Sequence, residues 1–147
     1  MAIVQDLLRT KGQNVWSITP DTTVLSALKM MADKDVGALL VLKKGKIAGI
    51  ISERDFVREI AKTGTCLIDA PVENYMTKEV FTALADYSLD ECMKIMTQKR
   101  IRHLPVVKDE TVVGLISIGD VVRAMIASKE STINSLENFI EGRGYGQ

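Results

Sequence analysis

Sliding the chain against itself by 65 residues aligns Val15 to Ala61 with Val80 to Ile126 without a gap. In that register fourteen positions carry the same residue type in both copies, among them Val15, Lys34, Leu39, Val41, Gly49, Ser52, Asp55 and Arg58. Most other pairs are conservative, such as Trp16 with Phe81, Val36 with Ile101 and Ile50 with Leu115. An internal duplication of this kind restricts the chain to two similar units that bury equivalent faces. The 147 residues leave room for two small subdomains in one compact body and for little else.

Within each copy the hydrophobic period changes in a fixed order. In the first, VWSIT is a short extended piece. Beyond Pro20 and Asp21, with Thr19 or Asp21 as the cap, Val24, Leu25, Leu28, Met31 and Ala32 recur at helical spacing. The β-rich run ALLVL, the turn KKGK and the run IAGIIS form a hairpin, and Asp55 opens a second helix through FVREIAK. The second copy repeats this as VFTAL, LDECMKIMTQK, HLPVV, KDET, VVGLIS and DVVRAMIAS. Each copy therefore reads strand, helix, strand, strand, helix. The predicted class is α/β (α+β), two subdomains packed sheet to sheet about a pseudo-two-fold axis, with a cleft expected twice at their interface. The predicted organisation is an N-terminal helix over 1–14, the first copy over 15–63 and a connector over 64–79. The second copy covers 80–127, and a further amphipathic helix with a mobile Gly-rich tail covers 128–147.

Charge and composition exclude several functions. Lysine plus arginine and aspartate plus glutamate number 19 each, and no basic recognition helix is visible, so no nucleic-acid partner is expected. Every apolar run is interrupted by charge and no secretory signal opens the chain, so no membrane partner is expected and the cytoplasm is the predicted location. Cys66 and Cys92 lack CxxC spacing and His103 is the only histidine, so no metal site or disulfide framework is signalled. These groups, with no Walker loop, leave little for catalysis, and an enzyme is not expected. Met30, Met31, Met93 and Met96 are read as packing, as are Trp16 and Phe81, whose alternative role would be to flank a base.

The strand-to-helix junctions GIISERD and GLISIGD, each closing one of the duplicated units, resemble the CBS domain, named after cystathionine β-synthase. SERDFVREI, RIRHLPVV and VVGLISIGDVVRAMI are similar to the stand-alone CBS-pair proteins of bacteria and plant organelles. The resemblance, from Val15 to Ala127, implies a sensor that binds an adenosine ligand between its copies: AMP, ADP, ATP, NADH or S-adenosylmethionine. It implies that Asp55 and Asp120 accept hydrogen bonds from ribose hydroxyls, and that Ser52 and Ser117 can donate to phosphate. Both pairs sit at a helix N-terminus, which favours an anion, although Ser and Asp are also preferred there as plain caps.

The cations differ between the copies. Arg100, Arg102 and His103 stand where the first copy has Asp35, Gly37 and Ala38. Arg102 and His103 match positions that reach phosphate in some nucleotide-binding CBS modules; the alternative is a surface arginine and a histidine satisfied at a strand edge. Arg54, whose counterpart is Gly119, either binds phosphate across the cleft or pairs with Glu53 or Glu59. The resemblance further implies a homodimer that acts on a separate, unidentified regulated protein. The rival reading is a ligand-free interaction or dimerisation scaffold.

Overall fold

The run ALLVL is apolar at every position because it is the central strand of a sheet covered on both faces. The structure, a computed structural model, describes residues 2–12 and 14–140. In the first copy β2 (Ala38–Lys43) lies parallel to β1 (Ser17–Ile18) and antiparallel to β3 (Lys46–Ser52). In the second, β5 (His103–Lys108) takes the same place between β4 (Ala83–Leu84) and β6 (Thr111–Ser117). The registers correspond: Ala38 faces Ser52 as His103 faces Ser117, and both hairpins carry an irregularity at the same point, Val41/Leu42 and Val106/Val107. The turns place Lys44 and Gly45, and Asp109 and Glu110, at positive φ, the conformation that tight two-residue hairpins require.

The helices follow the predicted periods. In the first copy α2 spans Val24–Lys34 and α3 Glu53–Thr63; in the second α4 spans Leu89–Lys99 and α5 Ile118–Ile140. The cap of α2 is Thr23, whose Oγ1 accepts from the Ser26 backbone N–H at 3.1 Å. Thr19 and Asp21, the predicted caps, are bonded to each other in the turn before it. Ser88 caps α4 in the same way and pairs reciprocally with Glu91. The helix α5 is continuous across residue 127, where the sequence pattern ends one helix and begins another. Residues 141–147, and with them the tail read as mobile, lie outside the described residues.

Each copy's core is completed by the segment that precedes the other copy. The N-terminal helix α1 (Val4–Lys11) buries Val4, Leu7 and Leu8 among Leu89, Met96, Leu104 and Ile116 of the second copy. The connector's single 3-10 turn, Val72–Asn74, buries Val72 among Val24, Met31, Leu39 and Ile51 of the first. The anchoring bonds correspond: Val4 N–H donates to the Tyr87 carbonyl at 2.9 Å and Val72 N–H to the Thr22 carbonyl at 2.8 Å. The two copies are thus interlocked, and β3 and β6 meet between them.

The crossing segments press on the sheets where a side chain would not fit. A Cβ on Gly49 would come within 2.8 Å of the Thr77 carbonyl oxygen and 2.7 Å of Met76 Sδ; one on Gly114 would meet the Leu8 side chain first, at 2.6 Å. Backbone yields less readily than the end of a leucine. Gly49→Ala is therefore expected to destabilise by about 1–3 kcal/mol, with a smaller cost for Gly114→Ala, as thermal unfolding of the two variants would measure.

Candidate functional site

At the end of β3 the chain turns into α3, and the exposed N–H groups of that helix start are met by its own Ser and Asp. Asp55 Oδ2 accepts from the Ser52 backbone N–H at 2.8 Å and from Ser52 Oγ at 3.1 Å. Its other oxygen, Oδ1, accepts from Thr77 Oγ1 at 3.0 Å, a residue brought in by the connector. The capping role weighed from the sequence is realised, and the carboxylate also lines a cleft of about 440 Å³.

That cleft lies between the copies. Ser52, Arg54, Asp55 and Arg58 form the side contributed by α3, with Gly37 and Ile50 beside them. The opposite side is built from the second copy's first strand and its α4–β5 junction: Val80, Phe81, Lys99, Arg100, Arg102 and His103. The first copy's Ser–Asp pair therefore faces the second copy's cations, a grouping the sequence did not predict. Five of the eight predicted site residues share this space, and Ser117, Gly119 and Asp120 do not line it.

Among the described residues Arg54 pairs with neither Glu53 nor Glu59. Its Nη1 donates to the Arg100 carbonyl at 2.8 Å, joining the start of α3 to the left-handed cap of α4 across the cleft. That carbonyl is free because Arg100, at φ 55°, ends the helix. Gly119, the counterpart of Arg54, has no side chain to make such a bridge; a Cβ there would stand 3.2 Å from Arg123 Nη1. Arg102 is exposed, while its backbone carbonyl accepts from Ile118 N–H at 2.8 Å.

Phe81, expected to pack in the core, is half-buried, with the Lys99 ammonium 5.0 Å from its ring centroid at the cleft wall. The equivalent pair repeats in the first copy, where Lys34 stands 4.4 Å from the Trp16 centroid. Trp16 is correspondingly exposed, because the lysine takes the place of core packing on its face. Met31 and Met96 are buried, as are Cys92 fully and Cys66 in part. Burial, with the neighbouring Glu91 charge, pushes the Cys92 thiol up to about 11.

Asp120 has different company. Its Oδ2 accepts from Ser117 N–H at 2.8 Å and from Lys11 Nζ at 2.5 Å, and its Oδ1 from Arg123 at 2.7 Å. Its own N–H donates to Ser117 Oγ at 3.1 Å, closing a reciprocal cap. Burial opposes ionisation here, but the bonds from Lys11 and Ser117 and the Lys11 charge outweigh it and hold the carboxyl below its usual value. It borders a second cavity, of about 520 Å³, between α1 and α5 and floored by Leu7, Leu89, Ala124 and Ala127. Nothing in the RTK run of α1 marked Lys11 as a partner for Asp120.

With this geometry in view, a family model described as the CBS domain matches residues 4–62 and 72–127. The chain is a CBS-domain protein. Both matches begin at the crossing segments, Val4 and Val72, so the CBS unit includes the piece that each copy lends to its neighbour. The mitochondrial CBS domain-containing protein CBSX3 of Arabidopsis thaliana is 38% identical over 97% of this chain and 73% of its own length. A CBS-domain containing protein from Agrobacterium tumefaciens, solved by crystallography, is 37% identical with a TM-score of 0.81, covering 84% of this chain and 99% of that one. A crystal structure of CBSX2 in complex with AMP matches at 26% identity and a TM-score of 0.71, over 88% and 99% of the two chains. The fold is that of a tandem CBS pair. Among the described residues no helix is long and apolar enough to cross a membrane.

His103 reports on the electrostatics of the CBS pair's interface. Burial lowers its pKa from the ordinary 6.5, the Lys11 and Arg102 charges lower it further, and Asp120 partly opposes them. A histidine whose folded pKa lies below its unfolded value contributes stability above pH 6.5 that is lost as pH falls through the folded pKa. An NMR titration of the imidazole is expected to show a midpoint below 6.5 in the free protein; a midpoint at or above it would contradict this environment.

Proposed function

We propose that the chain is a regulatory adenine-nucleotide sensor, not an enzyme, and that its ligand occupies the cleft around Asp55. The observation that carries this reading is the meeting, in one space of about 440 Å³, of a carboxylate at a helix start with Phe81 and the cations of the other copy. Among the described residues Asp55 Oδ1 is held only by a threonine hydroxyl, which a ribose hydroxyl can replace like for like. Phe81 supplies an apolar wall for a base, and Arg102 and His103 offer donors for phosphate. The AMP bound by the CBSX2 relative supports the same ligand class.

AMP, ADP, ATP, NADH and S-adenosylmethionine all present an adenosine to Asp55 and differ beyond the ribose, where the cations stand. Isothermal titration with AMP, ATP, NADH and S-adenosylmethionine is expected to show binding by the wild type. Replacing Asp55 with Ala removes charge-assisted hydrogen bonds worth about 1.5–3 kcal/mol, a weakening of roughly ten- to hundredfold. No binding of any of the four would replace the sensor with a ligand-free scaffold that acts through its partner.

The response passes to a separate regulated protein, and the working unit is a homodimer. Supporting the dimer, α3 exposes Val57 and Ile60, and α5 exposes Val122 and Ile126, with Val57 and Val122 at equivalent positions of the two copies. A second chain carries the same pair of stripes, so one two-fold axis can cover both at once. The two free thiols suit a reducing compartment such as the cytoplasm. Light scattering at micromolar concentration is expected to give the dimer mass, reduced to the monomer by Val57→Asp together with Val122→Asp; a monomeric wild type would overturn it.

A further inference from the structure

The duplication produces two helix starts of the same design, yet their carboxylates meet different partners. At the first, the connector pairs with the edge of β3: Thr77 N–H donates to the Ile50 carbonyl at 2.9 Å, and Thr77 Oγ1 to Asp55. At the second, the residue equivalent to Ile50 is Leu115, and its carbonyl accepts from Lys11 Nζ at 2.6 Å; the same ammonium donates to Asp120. One lysine side chain thus makes both bonds that the backbone and hydroxyl of Thr77 make in the other half. It can do so because α1 is a full helix where the connector has a single 3-10 turn, so its last turn carries Lys11 to the edge of β6.

The difference is one of charge as well as shape. Asp55 lines the cleft, and among the described residues it forms no ion pair. Asp120 is neutralised at both oxygens, by Lys11 and by Arg123. Arg123 is largely exposed and pairs within its own helix turn, an arrangement that water or ligand displaces at little cost. Lys11 is 36% exposed against 73% for Arg123 and is held at two acceptors, Asp120 and the Leu115 carbonyl, so it is the group that must leave.

From this we infer that Lys11 is a built-in occupant of the Asp120 half: it stands in for the ribose that Asp120 would otherwise hold, and limits the chain to one adenosine ligand. Withdrawal of Lys11 uncovers a second, latent site for the same ligand class. The inference rests on the nucleotide reading above for the identity of the ligand, and on the geometry of Lys11 for the number of sites. Since Lys11 ends α1, filling the latent site would also release the end of that helix from β6.

The test is the stoichiometry of AMP binding to the full chain, measured by isothermal titration on wild type, Lys11→Ala and Lys11→Met. The methionine variant retains the apolar stem and guards against loss of fold. One site per chain in wild type and two in either variant is expected, and Lys11→Met combined with Asp120→Ala should return to one. Two sites in wild type, or one in both variants, would overturn the inference and leave the nucleotide reading standing. No binding by wild type with one site in Lys11→Met would keep the latch and remove the Asp55 cleft as the ligand site. No binding by any of them overturns both.

Discussion

Neither CBS unit closes its own core. The apolar side chains that seal each sheet arrive on the segment leading into the other unit, Val4, Leu7 and Leu8 in one direction and Val72 in the other. A buried aliphatic residue contributes about 1.5–3 kcal/mol when removed from water, and here that gain exists only if the two copies are side by side. The pseudo-symmetric pairing is therefore a condition of folding. The interface cleft follows from it, since the crossing segments bring Thr77 to Asp55 and Lys11 to Asp120 on their way.

The order of elements was legible because it depends on local period: ALLVL and HLPVV could be central strands, and LDECMKIMTQK became α4 over those same residues. The helix-start pairs were legible because Ser and Asp three apart satisfy free N–H groups wherever they occur. The crossing was not legible, for the apolar face of α1 shows that it must pack without showing on which copy. Arg54 illustrates the same limit: nearby glutamates suggest partners in sequence, while the carbonyl left free by Arg100 becomes one only once the copies have met. Lys11 looks like any surface lysine at a helix end until β6 is placed beside it.

A chain with no net charge nevertheless concentrates charge at its interface. Duplication supplies two carboxylates of the same type, and small departures from symmetry give them opposite treatment. Arginines and a histidine in the second copy replace an aspartate, a glycine and an alanine, so the positive charge accumulates opposite Asp55. The extended α1 supplies a cation to Asp120. The paired lysines over Trp16 and Phe81 remain symmetric, which shows how little of the framework had to change.

The unbroken α5 carries one end of this asymmetry a long way. Its first turn contains Asp120, and its last described residue, Ile140, stands exposed beyond the second copy. With 23 residues, each rising about 1.5 Å, the helix is a rod of about 34 Å. A tilt of roughly 10° about its capped end sweeps the far end through about 6 Å, from the length of an ideal helix. A rearrangement of one carboxylate and its cations that tilted α5 by that angle, without altering either sheet, would be geared into a displacement larger than a helical turn.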